Sequence, residues 1–198
     1  MKLCVFQGTF NPIHNAHLAM ANYAKKVYDF DTILFIPAYK PPHKEFDDDL
    51  ANHRYQMVKL AVSGEGFFGI SNIEFQNERF SYTYLTIQEL YKRYKIDGKI
   101  SFIIGLDAYR EIDSWYEADK LKDLVQFIVF PRGELDVHDK DRLALLHYKG
   151  FKASIAKMPQ VDISSTTIRE RIEAGKSVSH LIPSVVAQYI SNNGLYRE

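Results

Sequence analysis

Two histidines three residues apart, His14 and His17, follow a glycine turn in the run Gln7-Gly8-Thr9-Phe10-Asn11-Pro12-Ile13-His14-Asn15-Ala16-His17. Gly8 can adopt backbone angles closed to other residues, and Asn11 with Pro12 can fix a tight bend, so backbone N–H groups there can converge on an anion. A helix beginning at the histidines adds its positive end to that site. The spacing puts both rings on one helical face, pointing back toward the turn, where two imidazoles can stabilise charge growing on a phosphate. The plainer alternative for the pair alone is two surface or packing histidines. A zinc reading needs a third ligand, and the chain has one cysteine and otherwise scattered histidines. We therefore assign no protein-held metal.

A second anchor lies near the other end, in Asp162-Ile163-Ser164-Ser165-Thr166-Thr167-Ile168-Arg169. Hydroxyls clustered at a helix start offer donors to an anion, and Arg169, one turn on, can bring a guanidinium to the same phosphate. The plainer alternative is a capped helix with Arg169 and Glu173 as an i,i+4 pair. Between the anchors stand further candidates. Tyr39-Lys40-Pro41-Pro42-His43-Lys44 is a proline-stiffened basic loop directly after an apolar run. Asp47, Asp48 and Asp49 suit a helix start and lack the alternating spacing of a calcium loop. Ser81-Tyr82-Thr83 opens a helical pattern, with Ser81 or Thr83 as its cap. Gly105 and Asp107 follow the most strand-like run; the glycine permits close ligand approach, and the aspartate either accepts from hydroxyls, holds a metal through water, or caps a helix. Trp115, the only tryptophan, sits in a polar turn and can stack on an aromatic ring.

Positioning such residues requires alternating strands and helices. Apolar runs at Lys2–Phe6, Thr32–Ala38, Phe67–Phe75, Ile100–Ile104, Gln126–Phe130 and Phe151–Lys157 read as strands. Helical periodicity covers His14–Tyr28, a stretch to about Val62, Thr83–Lys95, a segment near Arg142–His147, the stretch opening at Ser164, and Pro183–Asn192. This is an α/β pattern. It predicts a Rossmann-like, doubly wound, mainly parallel sheet of about six strands with helices on both faces. At 198 residues and 46% hydrophobic content, one domain over residues 1–198 is expected. The segment from Glu134 to Gly150 carries no evident chemistry and reads as a surface excursion.

The 25 basic and 25 acidic residues cancel, so no overall field draws the chain to nucleic acid or an anionic membrane. No apolar stretch has the length of a bilayer span, and the start shows no signal-peptide pattern, so a soluble cytoplasmic protein is expected. Cys4 excludes an intrachain disulfide and reads as a small core residue. A homo-oligomer is compatible with all of this.

The run Gly8-Thr9-Phe10-Asn11-Pro12-Ile13-His14-Asn15-Ala16-His17 resembles the G-x-F-x-P-x-H-x-x-H signature of the nucleotidyltransferase superfamily, and Ile163 to Arg169 resembles its second, I-S-S-T-x-I-R signature. Pro41-Pro42-His43-Lys44, Ser81-Tyr82-Thr83 and the segment ending in Trp115-Tyr116 are similar to elements of bacterial nicotinate mononucleotide adenylyltransferases. The resemblance implies adenylyl transfer from ATP, with Mg²⁺, to nicotinate mononucleotide in NAD biosynthesis. It puts Gly8, Thr9, Phe10, His14, His17, Gly105, Asp107, Ile163, Ser164, Ser165, Thr166 and Arg169 at ATP, and Lys40, His43, Lys44, Ser81, Tyr82, Thr83 and Trp115 at the acceptor. His14, His17, Lys44 and Arg169 would act on the transferring and flanking phosphates. Two positions depart from the pattern: Gln7 stands where relatives often have a second glycine, and Leu85 where they commonly have aspartate. A sister transferase acting on nicotinamide mononucleotide, phosphopantetheine or a cytidylyl donor shares both phosphate signatures, and a non-catalytic nucleotide-binding module is the third reading. A class I tRNA synthetase fragment shares the histidine signature but would bring a basic extension and a lysine-rich second loop, which the chain lacks.

Overall fold

Strands buried on both faces need apolar residues at consecutive positions, and in the first, second and fourth apolar runs nearly every residue is buried. The computed structural model describes residues 1–42, 46–76, 79–131, 144–159 and 161–197. Six strands, β1 (Leu3–Gly8), β2 (Thr32–Pro37), β3 (Phe68–Ile70), β4 (Ile100–Gly105), β5 (Val125–Phe130) and β6 (Ala153–Ile155), form one sheet in the order β3-β2-β1-β4-β5-β6. Every pairing is parallel, with Leu3 beside Thr32 and Cys4 beside Ser101 fixing the register of the central strand. The expected Rossmann-like architecture is present. Its strand order reverses between β1 and β4, so the chain leaves these two strands in opposite directions and a crevice opens at their carboxyl ends.

Helices cover both faces. Alternate strand residues Cys4, Phe6, Ile33, Phe35, Ile103 and Ile128 pack with α1 (Asn15–Tyr28), α2 (Asp48–Val62), α6 (Ser165–Glu173) and α7 (Ser184–Asn192). The intervening residues, among them Val5, Leu34, Phe102 and Phe127, pack on the other face with α3 (Thr83–Arg93), α4 (Leu106–Arg110) and α5 (Ala118–Leu121). Cys4 is fully buried, and burial pushes its thiol well above the usual range, which makes it inert.

Several sequence expectations are corrected. The third apolar run is a strand only from Phe68 to Ile70; it then tightens into a 3₁₀ turn, Ile73–Gln76, which buries Glu74. Neither Ser81 nor Thr83 caps α3: the cap position is Tyr82, and the Ser81 hydroxyl instead accepts from the Lys40 N–H at 3.0 Å. The last apolar run pairs only over Ala153–Ile155. Of the expected excursion, residues 134–143 lie outside the described residues, whereas Leu145 is buried and its carbonyl accepts from the buried Tyr109 hydroxyl at 3.0 Å. Tyr148 donates to the Arg110 carbonyl at 3.1 Å. That end of the segment is therefore pinned to the core. The acidic cap is as expected, with the Asp47 carboxylate accepting from the Leu50 N–H at 3.0 Å.

Candidate active site

The turn after β1 is shaped by one buried ring. Phe10 has φ 48°, in the left-handed region, and its side chain is 2% exposed, packed on Phe6 and Phe35. A Cβ on Gly8 would stand 3.1 Å from that ring. That is a tighter approach than nearly all Cβ contacts, and the ring, packed between Phe6 and Phe35, would have to shift by a few tenths of an ångström to admit it. Replacing Gly8 by alanine should cost about 1–2 kcal/mol of stability by overpacking. A lower melting temperature would register it.

The turn's carbonyls are held by side chains from elsewhere in the chain. Arg54 Nη1 donates to the Thr9 carbonyl at 2.8 Å, Arg169 Nη1 to the Asn11 carbonyl at 2.8 Å, and Ser165 Oγ to the Pro12 carbonyl at 2.9 Å. The Tyr196 hydroxyl donates to Asn11 Oδ1 at 2.5 Å. The Asn11–Pro12 peptide is cis.

His14 is the N-cap of α1, and its backbone N–H donates to His17 Nδ1 at 3.3 Å. A bond in that direction requires Nδ1 to be unprotonated, so neutral His17 carries its proton on Nε2 and presents a donor at its far edge. The two rings stack with centroids 3.6 Å apart and 21° between planes. Phe10 and Phe6 meet His17 edgewise at 5.0 and 5.7 Å. The aromatic walls fix the donor's direction, which is the preorganisation that charge stabilisation requires.

His14, His17 and Phe6 line a cavity of about 460 Å³ at the strand-order reversal, together with Gly105, Ile163, Ser164, Ser165 and Thr166. Ser164 caps α6, accepting from the Thr167 N–H at 3.1 Å. Arg169 does not turn toward Glu173; besides the Asn11 carbonyl it reaches Thr166 Oγ1 at 3.4 Å. Of the other residues expected at ATP, Gly8 and Thr9 form the turn, Phe10 lies beneath it in the core, and Asp107 is exposed in the first turn of α4.

A second cavity, of about 450 Å³, is lined by Pro42, Ser81, Tyr82, Thr83, Ser114, Trp115 and Tyr116. Trp115 is half-buried against Phe102, with centroids 6.3 Å apart, and Tyr82 stacks on Tyr116 at 4.6 Å. Lys40 does not line this cavity: its ammonium stands 5.2 and 5.0 Å from the Phe46 and Phe80 rings. His43 and Lys44 lie outside the described residues. Among the described residues no group of three or more His, Cys, Asp or Glu is placed to hold a metal ion.

The chain matches the cytidylyltransferase-like family over residues 5–171. It is 37% identical to a probable nicotinate-nucleotide adenylyltransferase of Caldicellulosiruptor saccharolyticus over 199 aligned positions, covering 100% of both chains. It is also 37% identical to the nicotinate-nucleotide adenylyltransferase of Bacillus subtilis, covering 98% of each. The chain belongs to the nicotinate-nucleotide adenylyltransferase family. Its fold is shared with the Plasmodium falciparum nicotinic acid mononucleotide adenylyltransferase complexed with NaAD, at a TM-score of 0.78 and 21% identity over 98% of this chain and 97% of that one. The histidine pair and the serine-capped start of α6 line one crevice, next to the glycine turn. Two buried charges near the turn, Arg54 and Glu74, were missed by the sequence reading. Arg54 falls within a helical pattern where arginine ordinarily faces water, and Glu74 within a run read as strand. No helix among the described residues is long and apolar enough to cross a membrane.

Proposed function

We propose that the protein transfers the adenylyl group of ATP to nicotinate mononucleotide, giving deamido-NAD and pyrophosphate. The observation that carries this reading is the pairing of a histidine-lined cavity at the strand-order reversal with an aromatic-walled cavity at Trp115, in a chain matched to these enzymes along its whole length. The first suits a triphosphate and the second a pyridine ring. Both are built from segments that follow the strands of a parallel sheet, where such folds bind ligands.

In this reading an oxygen of the acceptor's phosphate attacks the α-phosphorus of ATP, the new P–O bond forms, and the bond to the β-phosphate oxygen breaks with its electron pair leaving on pyrophosphate. A phosphate monoester with a second pKa of about 6 is already mostly ionised at neutral pH, so no general base is needed. The protein's task is alignment and charge stabilisation. His17, with its Nε2 donor, and His14 face the transferring phosphoryl oxygens, Ser164 to Thr166 and Arg169 take the flanking phosphates, and Trp115 stacks on the acceptor ring. Lys44, His43 and Lys40 belong to the loop that meets acceptor phosphate. Mg²⁺ arriving on the triphosphate would supply charge neutralisation there. The site of action is the cytoplasm, where both nucleotide substrates are available.

The test is pyrophosphate release with ATP and Mg²⁺, comparing nicotinate mononucleotide, nicotinamide mononucleotide and phosphopantetheine as acceptors. Rapid release with the first alone is expected. A preference for either of the others would move the acceptor, and no release with any would leave only a nucleotide-binding module.

A further inference from the structure

The Tyr39 peptide is gripped from both sides by buried, oppositely charged groups. Its N–H donates to Glu74 Oε2 at 3.2 Å, and its carbonyl accepts from Arg54 Nη2 at 3.1 Å. Each of these residues also holds the phosphate turn or its threshold. Arg54 Nη1 donates to the Thr9 carbonyl at 2.8 Å and to the Ala38 carbonyl at 2.6 Å, and the Glu74 carboxylate accepts from Gln7 Nε2. Glu74 further accepts from Thr86 Oγ1 at 2.7 Å and is hydrogen-bonded by Ser81, the residue that pairs with Lys40 through both its N–H and its hydroxyl and that lines the acceptor cavity.

Neither charge is placed for packing alone. Arg54 and Glu74 are 4% and 7% exposed, and a buried ion persists only when its hydrogen-bonding capacity is filled. Here the partners filling it belong to both half-sites. Burial draws the Arg54 guanidinium below its ordinary range and lifts the Glu74 carboxyl above its own, and the donors at Gln7, Tyr39, Ser81 and Thr86 counter the second shift.

We propose that Glu74 and Arg54 are positioning residues that fix the acceptor loop in register with the phosphate turn, so that the acceptor's phosphate is held in line with the α-phosphorus. The inference rests on the adenylyl-transfer reading above. In-line transfer is sensitive to displacements of about 1 Å, which can cost about 10²-fold in rate even when both substrates still bind.

The experiment compares wild type, Glu74→Gln and Arg54→Lys for melting temperature, affinity for a non-hydrolysable ATP analogue, and kcat and KM in pyrophosphate release. Glutamine keeps the volume of Glu74 but turns one acceptor oxygen into a donor; lysine keeps the charge of Arg54 but cannot reach three carbonyls. The expected result is analogue affinity within about threefold of wild type, with kcat lower by about tenfold or more. A fall in melting temperature with kcat unchanged well below the melting point would reduce both residues to structural ones and overturn the proposal. Should Glu74→Gln fail to fold, Thr86→Val removes one donor and leaves the charges in place. A several-fold loss of kcat then supports the role, and none overturns it. An active wild type with fully active variants sinks only the positioning role. If wild type releases no pyrophosphate with any acceptor, the functional reading fails instead. Exchange of the Tyr39 amide proton then decides the positioning role by itself, with about tenfold faster exchange expected in Glu74→Gln and an unchanged rate counting against it.

Discussion

Replacing His17 by alanine is expected to lower kcat for pyrophosphate release by about 10²- to 10³-fold, the range lost when one preorganised donor to a developing charge is removed. The geometry makes the donor's role specific. The His14 N–H occupies Nδ1 at 3.3 Å, and Phe6, Phe10 and the His14 ring hold the imidazole on three sides, so Nε2–H has one direction available. A donor fixed before the reaction stabilises the transition state more than the ground state. The loss should therefore appear in kcat, with KM for ATP changing by only a few fold. Removing the ring also vacates space against two phenylalanines and costs stability, so the melting temperature must be read alongside. His17→Asn provides the control: its amide is a shorter donor that also fills part of the space, and partial recovery of kcat separates donation from packing. Equal turnover in wild type and His17→Ala would remove this residue from the chemistry.

What the sequence made legible follows from how local each signal is. The Asp47 and Ser164 caps were readable because a cap and its N–H partner lie three residues apart, within one turn. The parallel sheet was readable because strands buried on both faces leave uninterrupted apolar runs, and their alternation with helices implies parallel pairing. Phe10 was assigned to the ATP site from its place in a motif, yet its ring lies in the core and shapes the turn from below; a motif records that a residue is needed without recording which way it points. Ser81 has the chemistry of a cap, but a partner distant in sequence, the Lys40 backbone, claims its hydroxyl. Glu74 was hidden for the same reason. Its partners come from residues 7, 39, 81 and 86, and no window of sequence contains them together. Arg54 serves three carbonyls, and carbonyls leave no trace in residue identity.

Trp115→Ala is expected to raise KM for nicotinate mononucleotide about tenfold to a hundredfold, corresponding to the ~1–3 kcal/mol that stacking of a base-like ring on an aromatic side chain contributes. The indole is half-buried, with one part packed on Phe102 and another lining the acceptor cavity, so its loss has two consequences that must be told apart. The packing loss destabilises the fold by about 2 kcal/mol, less than for a fully buried aromatic, and leaves KM for ATP unchanged. The stacking loss appears only in the acceptor's KM. Trp115→Phe keeps a π face and most of the packing, and should recover the greater part of both. Two tyrosines share the cavity and give the decisive comparison. Tyr82 and Tyr116 lie on each other at 4.6 Å and 26°, a separation that admits no further ring between them, so a pyridine stacking there must first part the pair. Trp115 faces the same space without that cost. A larger rise in acceptor KM for Tyr116→Ala than for Trp115→Ala would transfer the stacking role to the tyrosine pair and leave Trp115 as a wall of the core.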